Sequence, residues 1–527
     1  MANRKEQNEL FKTIWAIAND LRGAVDGWTF KAYVLGAIFY RYISEDICSY
    51  VAELQAAAGI KNFDYAAMSD EEAETARDMI VDEKGFFILP SQLFKNVLKT
   101  ADQDENLNNR LSKIFRDIES SPGDKPSKEK ITGLFSDFAV DNTQIGNTVG
   151  IRNKLLAKLL HRVDEMELSQ HLEDNHNDTF GDAYEFLMKM YASKAGKSGG
   201  EFFTPQEVSE LVAEIAAYGT NDIHKVYDPA CGSGSLLLKF QKIHGRKLEG
   251  LKFYGQEINP TTYNLCRSNM FLHHVNYNDF DIQLSDTLLD PRHIDMVKDG
   301  KGCFDCIVSN PPFALKWVGK ENPLLMNDAR YADAGVLAPK SAADLAFVLH
   351  MYYHLKDTGC CAIVEFPGVL YRSGAEQKIR EYLLKENAVD TVIQMPANLF
   401  FGVSIATCII VLKKQGRRAG DNKVLFIDAS REFVKEGDKN YLSEDNQNNI
   451  LGYYKARKNE RYISKLVSVD DILANGANLT VSSYVEQEDT REVIKIDEVN
   501  AHVETLVAEC DELNKRIEAI IKDLGGE

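Results

Sequence analysis

Asn310, Pro311, Pro312 and Phe313 form a short run that is suited to holding a planar amino group. Two consecutive prolines fix the backbone and withhold two N–H donors, so the Asn310 side chain and nearby carbonyl oxygens can offer hydrogen-bond acceptors. When such an amine attacks a methyl group its nitrogen gains positive charge, and acceptors aimed at its hydrogens stabilise that state more than the flat ground state. Phe313 can stack on the ring that carries the amine. The run predicts a catalytic site for an exocyclic amine such as N6 of adenine, and a purely structural Asn-Pro-Pro turn is the alternative.

A glycine-rich turn, DPACGSGSLLL at residues 228–238, follows a candidate strand and leads into an apolar helix. Gly232 and Gly234 remove side chains where the chain must turn sharply, so a ligand can sit against the backbone and the helix N-terminus. Glu257 ends the next candidate strand, at the spacing where an acidic residue accepts hydrogen bonds from ribose hydroxyls. The turn lacks the third glycine of the dinucleotide fingerprint. It therefore favours a nucleoside without a polyphosphate, and a strand-to-helix turn without a ligand is the alternative.

Strands and helices that could position these residues are predicted in residues 225–412, where short apolar runs alternate with helical segments. This texture is typical of a parallel sheet covered on both faces, and it predicts a doubly wound, Rossmann-like α/β fold. The candidate strands are residues 225–227, 252–256, 304–309, 361–365, 389–394 and 407–412, and residues 424–428 are a candidate edge strand. The amine-holding run and the glycine turn each follow one of these strands.

Helical patterns flank the predicted sheet on both sides. Residues 8–165 are expected to be helical, with an apolar face that is made by Phe30, Tyr33, Val34, Ile38, Tyr42 and Ile43, and residues 180–196 form a second helical run. Near the C-terminus apolar residues alternate at spacings of four and three, which is the coiled-coil period. They are Val499, Val503, Leu506, Cys510, Leu513, Ile517, Ile520 and Leu524. This stripe favours an intermolecular helix bundle, and an amphipathic helix on its own domain is the alternative.

Four parts are therefore expected along the chain. They are a helical N-terminal domain at residues 1–165, a catalytic domain at residues 166–430, an irregular connecting region at residues 431–486 and a C-terminal heptad helix at residues 487–527.

The net charge of −19, from 80 acidic and 61 basic residues, has the wrong sign for a chain that grips DNA by itself. Either the substrate is not nucleic acid, or the basic surface is local, or a partner supplies the grip. No run of about 18 apolar residues occurs and the first residues are polar, so we expect a cytoplasmic protein without a membrane partner. The nine cysteines are expected to be free thiols, and no metal site is predicted, because Cys303 and Cys306 should point to opposite faces of a strand.

Five motifs together resemble one known family. EFFTP at residues 201–205, DPACGSG, GQEIN, NPPF and PANLFFGVSIATCIIVL at residues 396–412 are similar to the motifs of the modification subunit of type I restriction-modification systems. Those proteins are N6-adenine DNA methyltransferases, and here the FFTP motif precedes the glycine turn, as in the gamma arrangement. The resemblance extends over nearly the whole chain.

The resemblance implies that S-adenosyl-L-methionine is the cofactor. The residues at its methionine end would be Glu201, Phe202, Phe203, Thr204, Pro205 and Gln206, with Thr204 near the carboxylate. The residues that shape the turn beneath it would be Asp228, Gly232, Ser233, Gly234 and Ser235. Glu257 would take the ribose. Asp286 would lie near the cofactor adenine, although a plain surface-loop aspartate is an equal alternative. Cys231 is expected only to pack.

For the substrate, the resemblance implies that Asn310 and the Pro311 carbonyl hold N6 of an adenine flipped out of DNA, with Phe313 stacked on the base. Many relatives carry Tyr at this last position, and Phe keeps the ring. Residues 314–343, with Lys316, Trp317 and Lys340, could close over the base or form a plain surface loop. The implied partners are DNA, a specificity subunit, a second copy of this chain and a motor-nuclease restriction subunit.

Three other functions stay open at this point. The same motifs would serve a methyltransferase of a glutamine amide in protein or of an amino group in RNA, because the run recognises a planar amine and not DNA as such. A structural subunit that binds the cofactor only to stabilise assembly is the third, and the intact Asn310 and Phe313 argue against it.

Overall fold

The computed structural model describes residues 27–166, 168, 179–194, 204–220, 222–244, 250–400, 404–414, 420–437, 439–487 and 496–525. The chain divides into two compact units, Met1–Val485 and Glu486–Glu527. Within the described ranges, no helix has the length and apolar character needed to cross a membrane.

The N-terminal part of the first unit is helical, as predicted. The long helix that begins the described residues buries the expected apolar face, with Tyr33, Val34, Ile38, Tyr42 and Ile43 all at most 5% exposed. The side chain of Phe30 lies outside the described residues. The predicted positions 8–26 are outside them too. The helices are α1 (Gly27–Ala57), α2 (Asp70–Glu74), α3 (Arg77–Lys84), α4 (Phe94–Leu98), α5 (Leu107–Ser120), α6 (Lys128–Ile131), α7 (Val149–Asp164) and α8 (Thr179–Lys194).

The rest of the first unit alternates strands and helices. The strands are β1 (Lys225–Asp228), β2 (Lys252–Glu257), β3 (Phe280–Leu284), β4 (Phe304–Ser309), β5 (Leu355–Glu365), β6 (Val389–Gln394), β7 (Cys408–Lys413), β8 (Lys423–Asp428), β9 (Val434–Glu436), β10 (Lys439–Tyr441) and β11 (Ser464–Ser468). The helices are α9 (Gln206–Ala217), α10 (Ser235–His244), α11 (Pro260–Leu272), α12 (Asp344–His354), α13 (Ala375–Lys385), α14 (Glu444–Ala456) and α15 (Val469–Ala474).

Nine of these strands form one sheet in the order β11-β8-β6-β7-β5-β4-β1-β2-β3. Side chains of its central strands alternate between two apolar cores. Cys306, Val308 and Ala362 face a core shared with α1, α9, α10 and α11. Ile307 and Ile363 face the other core, which is shared with α12, α13 and α15. Helices on both faces make this the predicted doubly wound α/β fold.

The sheet departs from the prediction in its hydrogen-bonding pattern. β7 is antiparallel to both β5 and β6, and β11 is antiparallel to β8, so the sheet is mixed and not purely parallel. β3 was not predicted, because FDIQL interrupts its buried residues Phe280 and Ile282 with polar ones. The candidate edge strand at residues 424–428 is β8, and β11 covers its outer side.

The expectation that residues 431–486 are irregular is wrong. This region forms β9, β10, α14, β11 and α15, and it contributes the edge of the main sheet. Its strands are short and its helices carry many polar residues, so hydrophobic periodicity did not reveal them. The helix α14 nevertheless buries Ile450, Leu451 and Tyr454 against the sheet domain.

The second unit contains one long helix, α16 (Ile496–Asp523). The predicted stripe runs along it, and its valine, leucine and isoleucine side chains from Val499 to Ile520 are 46–58% exposed. Cys510 is exposed too. Val507 and Ile521 are exposed as well, at 54% and 52%. These two residues, which the heptad pattern omitted, widen the apolar stripe.

Candidate active site

Three predicted site residues lie at the carboxyl ends of three adjacent parallel strands. Asp228 ends β1, Glu257 ends β2 and Asn310 directly follows β4, and β1 pairs with both of the other strands. Ligands of open α/β sheets bind at this edge. Beside it lies a cavity of about 600 Å³, whose lining includes the predicted residues Glu257, Asp286, Asn310 and Pro312.

The Asn310 carboxamide is held by one side chain and keeps one atom free. Its Nδ2 donates a hydrogen bond to Thr204 Oγ1 at 3.0 Å, and Thr204 is buried. Its Oδ1 is also buried, and it has no hydrogen-bond partner among the described residues. A buried acceptor without a donor is costly, so this oxygen is an acceptor that a ligand can satisfy.

The rest of the NPPF run is fixed by its neighbours. Pro311 is buried, Pro312 lines the cavity, and the half-buried Phe313 meets the Phe400 ring edge-on with centroids 6.2 Å apart. Directly afterwards, Ala314 takes a left-handed conformation with φ of 51°, and its N–H donates to Asp344 Oδ1 at 3.0 Å. The chain therefore turns sharply at the end of the run.

Asp228 joins the glycine turn to the NPPF strand. Its Oδ1 accepts hydrogen bonds from the Ala230 N–H at 2.9 Å and from Ser309 Oγ at 2.8 Å. Burial raises the pKa of this carboxyl group to about 7. Asp228 thus fixes the relative position of two motifs that are far apart in the sequence.

Glu257 is held by the backbone of the same turn. Its Oε2 accepts from the Gly232 N–H at 3.1 Å and its Oε1 from the Asn259 N–H at 2.8 Å. Burial raises the pKa of Glu257, while hydrogen bonds from backbone N–H groups act in the opposite direction. The carboxylate is therefore oriented at the cavity wall, where its remaining lone pairs can accept hydrogen bonds from hydroxyl groups.

Gly234 has a packing role that the sequence did not predict. With φ at 80°, a Cβ at this position would lie 2.8 Å from Cys266 Sγ and 2.9 Å from Met270 Cε, both on α11. The missing side chain makes room for packing against that helix, and the role of Gly234 beneath a cofactor stays a prediction. Ser233 and Ser235 are buried beside it, and the part of the turn that lines the cavity is Pro229 and Ala230.

Cys231 is a packing residue, as expected. It is buried, and its thiol pKa is raised well above the ordinary value by a hydrogen bond with Cys266 and by burial. A thiol held in its neutral form is a poor nucleophile.

Asp286 lies in the cavity wall, on the turn that follows β3. Its Oδ1 accepts from the N–H groups of Leu288 and Leu289, at 2.9 and 3.2 Å. Thr287 Oγ1 donates to the Pro229 carbonyl at 2.5 Å and so ties this turn to the glycine turn. Sequence reasoning named Asp286 alone, whereas the neighbours Thr287, Leu288 and Leu289 line the cavity too.

The FFTP region is only partly described, because Glu201, Phe202 and Phe203 lie outside the described residues. Thr204 meets Asn310, as noted above. Pro205 is buried, and Gln206 opens α9 with its Nε2 donating to Glu185 Oε2 on α8 at 2.6 Å. The proposed roles of these residues at a cofactor's methionine end stay predictions.

Residues 315–318, 321 and 340, all within the segment 314–343, contribute to one wall of the cavity. Trp317 is 8% exposed, and its Nε1 donates to the Pro339 carbonyl at 3.0 Å. Lys316, Trp317, Glu321 and Lys340 line the cavity. Whether the segment moves over a substrate stays a prediction.

Comparisons with known proteins show the family of the chain. A family model described as "N-6 DNA Methylase" matches residues 175–493, and one described as "HsdM N-terminal domain" matches residues 10–163. The type I restriction enzyme MpnII methylase subunit of Mycoplasma pneumoniae is 46% identical over 99% of this chain and 97% of its own length. The MjaVIII methylase subunit of Methanocaldococcus jannaschii is 30% identical over 81% of this chain and 72% of its own.

A solved structure shares the fold. The type I restriction-modification methyltransferase subunit of Streptococcus thermophilus superposes with a TM-score of 0.80 and 35% identity, covering 91% of this chain and 100% of that one. The predicted resemblance is confirmed. The chain belongs to the N-6 DNA methylase family and, within it, to the methylase subunits of type I restriction enzymes.

Proposed function

We propose that the chain is the modification subunit of a type I restriction-modification complex and transfers a methyl group from S-adenosyl-L-methionine to N6 of an adenine flipped out of DNA. The observation that carries this proposal is the buried Oδ1 of Asn310, an acceptor without a partner in the described structure, in the wall of a cavity shared with Glu257 and Asp286.

Asn310 would act on the amine at the moment of reaction. The N6 nitrogen is flat and conjugated in the ground state, and it becomes tetrahedral and positive as its bond to the methyl group forms. A hydrogen bond from N6 to Asn310 Oδ1 strengthens over that change, and the Pro311 carbonyl is the proposed second acceptor. Phe313 would stack on the extruded base. Thr204 accepts from the amide nitrogen, and the amide oxygen is left for the target amine.

The cavity suits a nucleoside cofactor. Its volume of about 600 Å³ is within the usual range of ligand pockets. Glu257 offers oriented acceptors for ribose hydroxyls, and Asp286 lies on the wall where the adenine of the cofactor is proposed to sit. S-adenosyl-L-methionine would supply a methyl group on a sulfonium, whose leaving group is already good, so that no strong base is required of the chain.

Recognition and assembly would depend on other chains. The net charge of −19 opposes strong attraction to phosphates, which supports a separate specificity subunit that reads the DNA site. The exposed apolar stripe of α16 would join that subunit and a second copy of this chain in a helix bundle. A motor-nuclease subunit would add cleavage. A protein that shares this fold, with a TM-score of 0.64 and 20% identity, takes part in complex assembly of a type I R-M system.

The test is the fate of a labelled methyl group. The chain, reconstituted with its specificity subunit, is given labelled cofactor together with duplex DNA, RNA or partner protein, and the products are digested and identified. The proposal predicts label on N6 of adenine in DNA that contains the recognised site. Label on protein glutamine or on RNA would contradict it, and cofactor binding without transfer to any substrate would favour a structural subunit.

A further inference from the structure

A buried arginine connects the wall segment to the cofactor side of the cavity. Arg330 belongs to residues 314–343 and is 4% exposed. Asp328 holds its guanidinium in a forked pair, accepting from Nε at 2.9 Å and from Nη2 at 2.7 Å. This pairing compensates the buried charge of the guanidinium group. It leaves the Nη1 protons and one Nη2 proton free to donate to other groups of the protein.

Those donors reach the turn that carries Asp286. Nη1 donates to the Thr287 carbonyl and Nη2 to the Leu288 carbonyl, each at 2.8 Å. The residues 286–289 all line the cavity. Arg330 thus fixes two consecutive peptide groups of the cavity wall, immediately after the residue proposed to face the cofactor adenine.

The arginine is itself anchored from below. Nη1 lies 3.0 Å from Nδ1 of His350 on α12, and His350 Nε2 lies 2.9 Å from the Tyr227 hydroxyl on β1. Burial, His354 and Arg330 hold the pKa of His350 well below its ordinary value, so the imidazole is neutral and Nδ1 can accept. The Arg330 guanidinium is therefore held by Asp328, by the two turn carbonyls and by His350.

We infer that Arg330 is a positioning residue of the cofactor pocket, which holds the turn at residues 286–289 in the geometry that receives the nucleoside. This inference rests on the proposed function, because it takes the cavity as the cofactor site. Arg330 acts through the Thr287 and Leu288 peptide groups and is not among the residues that line the cavity. A lysine would keep the charge but could not donate to both carbonyls and to Asp328 in the same forked geometry.

The test compares two conservative variants of the full-length chain. Arg330→Lys removes the fork. Arg380→Lys is the matched control, because Arg380 is 1% exposed and also holds two carbonyls, those of Ala477 and Val369 at 2.8 and 2.9 Å, away from the cavity lining. Calorimetry measures binding of S-adenosylhomocysteine and of 5′-methylthioadenosine, which lacks the amino-acid end. Fitting the fraction of binding-competent chain separates affinity from loss of fold.

We expect Arg330→Lys to weaken both ligands by the same factor, on the order of 10-fold, and Arg380→Lys to bind both like the unaltered chain. Unchanged affinity in Arg330→Lys, an equal loss in Arg380→Lys, or a loss for S-adenosylhomocysteine alone would each overturn the inference. If Arg330→Lys does not fold, Asp328→Asn replaces it, with an expected loss of about two- to fivefold because one arm of the fork is released. Unchanged affinity there would overturn the inference too. An unaltered chain that binds neither nucleoside would refute the proposed cofactor and this inference together.

Discussion

Replacing Thr204 with valine should slow methyl transfer without weakening cofactor binding. The Thr204 hydroxyl accepts the Asn310 Nδ2 hydrogen bond at 3.0 Å, and this contact holds the amide in the orientation that leaves Oδ1 without a partner among the described residues. Valine has nearly the same shape but offers no acceptor. The amide can then rotate and present its NH₂ group to the target amine, where an acceptor is needed.

The size of the effect follows from the burial of this contact. Leaving a buried donor without a partner costs about 1–3 kcal/mol, and Thr204 is only 6% exposed. That cost falls on the productive orientation, which then loses the contact that holds it against other rotamers of the Asn310 side chain. The single-turnover rate at saturating cofactor should fall by about 5- to 150-fold.

The assay is single-turnover methylation by the reconstituted complex, with the cofactor dissociation constant measured in parallel. Thr204→Ser keeps the hydroxyl and is the matched control, for which we expect a rate near that of the unaltered chain. A Thr204→Val complex that methylates at the normal rate would refute the reasoning. A loss of cofactor affinity with an unchanged rate would instead return Thr204 to the role implied by the sequence, beside the cofactor carboxylate.

Three further predictions concern the turn, the pH dependence and the tail. Gly234→Val should lower the thermal melting temperature in the absence of cofactor, because its side chain would collide with Cys266; an unchanged melting temperature with lost cofactor binding would show that ligand space matters instead. Because the folded chain binds the Asp228 proton more tightly, with the pKa raised from 3.8 to about 7, the free energy of unfolding should fall as the pH rises between these values, by on the order of 4 kcal/mol. Urea unfolding across this pH range should show a free energy of unfolding that changes less with pH in Asp228→Asn than in the unaltered chain. The same pH dependence in both would contradict the raised pKa of Asp228. Truncation after residue 487 should preserve cofactor binding yet reduce co-purification with the specificity subunit, and undiminished co-purification would show that the helix α16 is dispensable. Truncation after residue 482 should also destabilise the first unit, because it removes the buried Val485 and the Tyr484 ring, which is stacked on Phe426 with centroids 4.4 Å apart.

The site residues at the strand ends could be predicted from the sequence, because a polar residue with suitable chemistry follows each candidate strand. Asn310, Glu257 and Asp228 each close an apolar run, and parallel strands bring their carboxyl ends to one edge. Local spacing is enough to find such residues. The same logic predicted the helical flanks and the stripe of α16.

Contacts between distant segments could not be read in this way. Thr204 and Asn310 are 106 positions apart, and the EFFTP motif gives no sign that its threonine faces the NPPF asparagine. Arg330 lies in a segment without hydrophobic periodicity, and the positioning role inferred for it depends on hydrogen bonds to carbonyls 42 and 43 residues earlier in the chain. The sequence singled out Gly234 for a cofactor, whereas the atoms that exclude a side chain there belong to α11, a helix whose packing the sequence did not specify.

The measurement that tests the central claim most directly is the single-turnover rate of Asn310→Ala on adenine-containing DNA in the reconstituted complex. Loss of one preorganised transition-state acceptor typically costs on the order of 100-fold or more in rate. Asn153→Ala is the control, because Asn153 is a buried amide on α7 that hydrogen-bonds the Glu105 carbonyl and does not line the cavity described above. The account predicts that Asn310→Ala loses about that factor in rate while its cofactor affinity stays near that of the unaltered chain. Methylation by Asn310→Ala at the normal rate would mean that NPPF is only a structural turn, and it would contradict the assignment of the target amine.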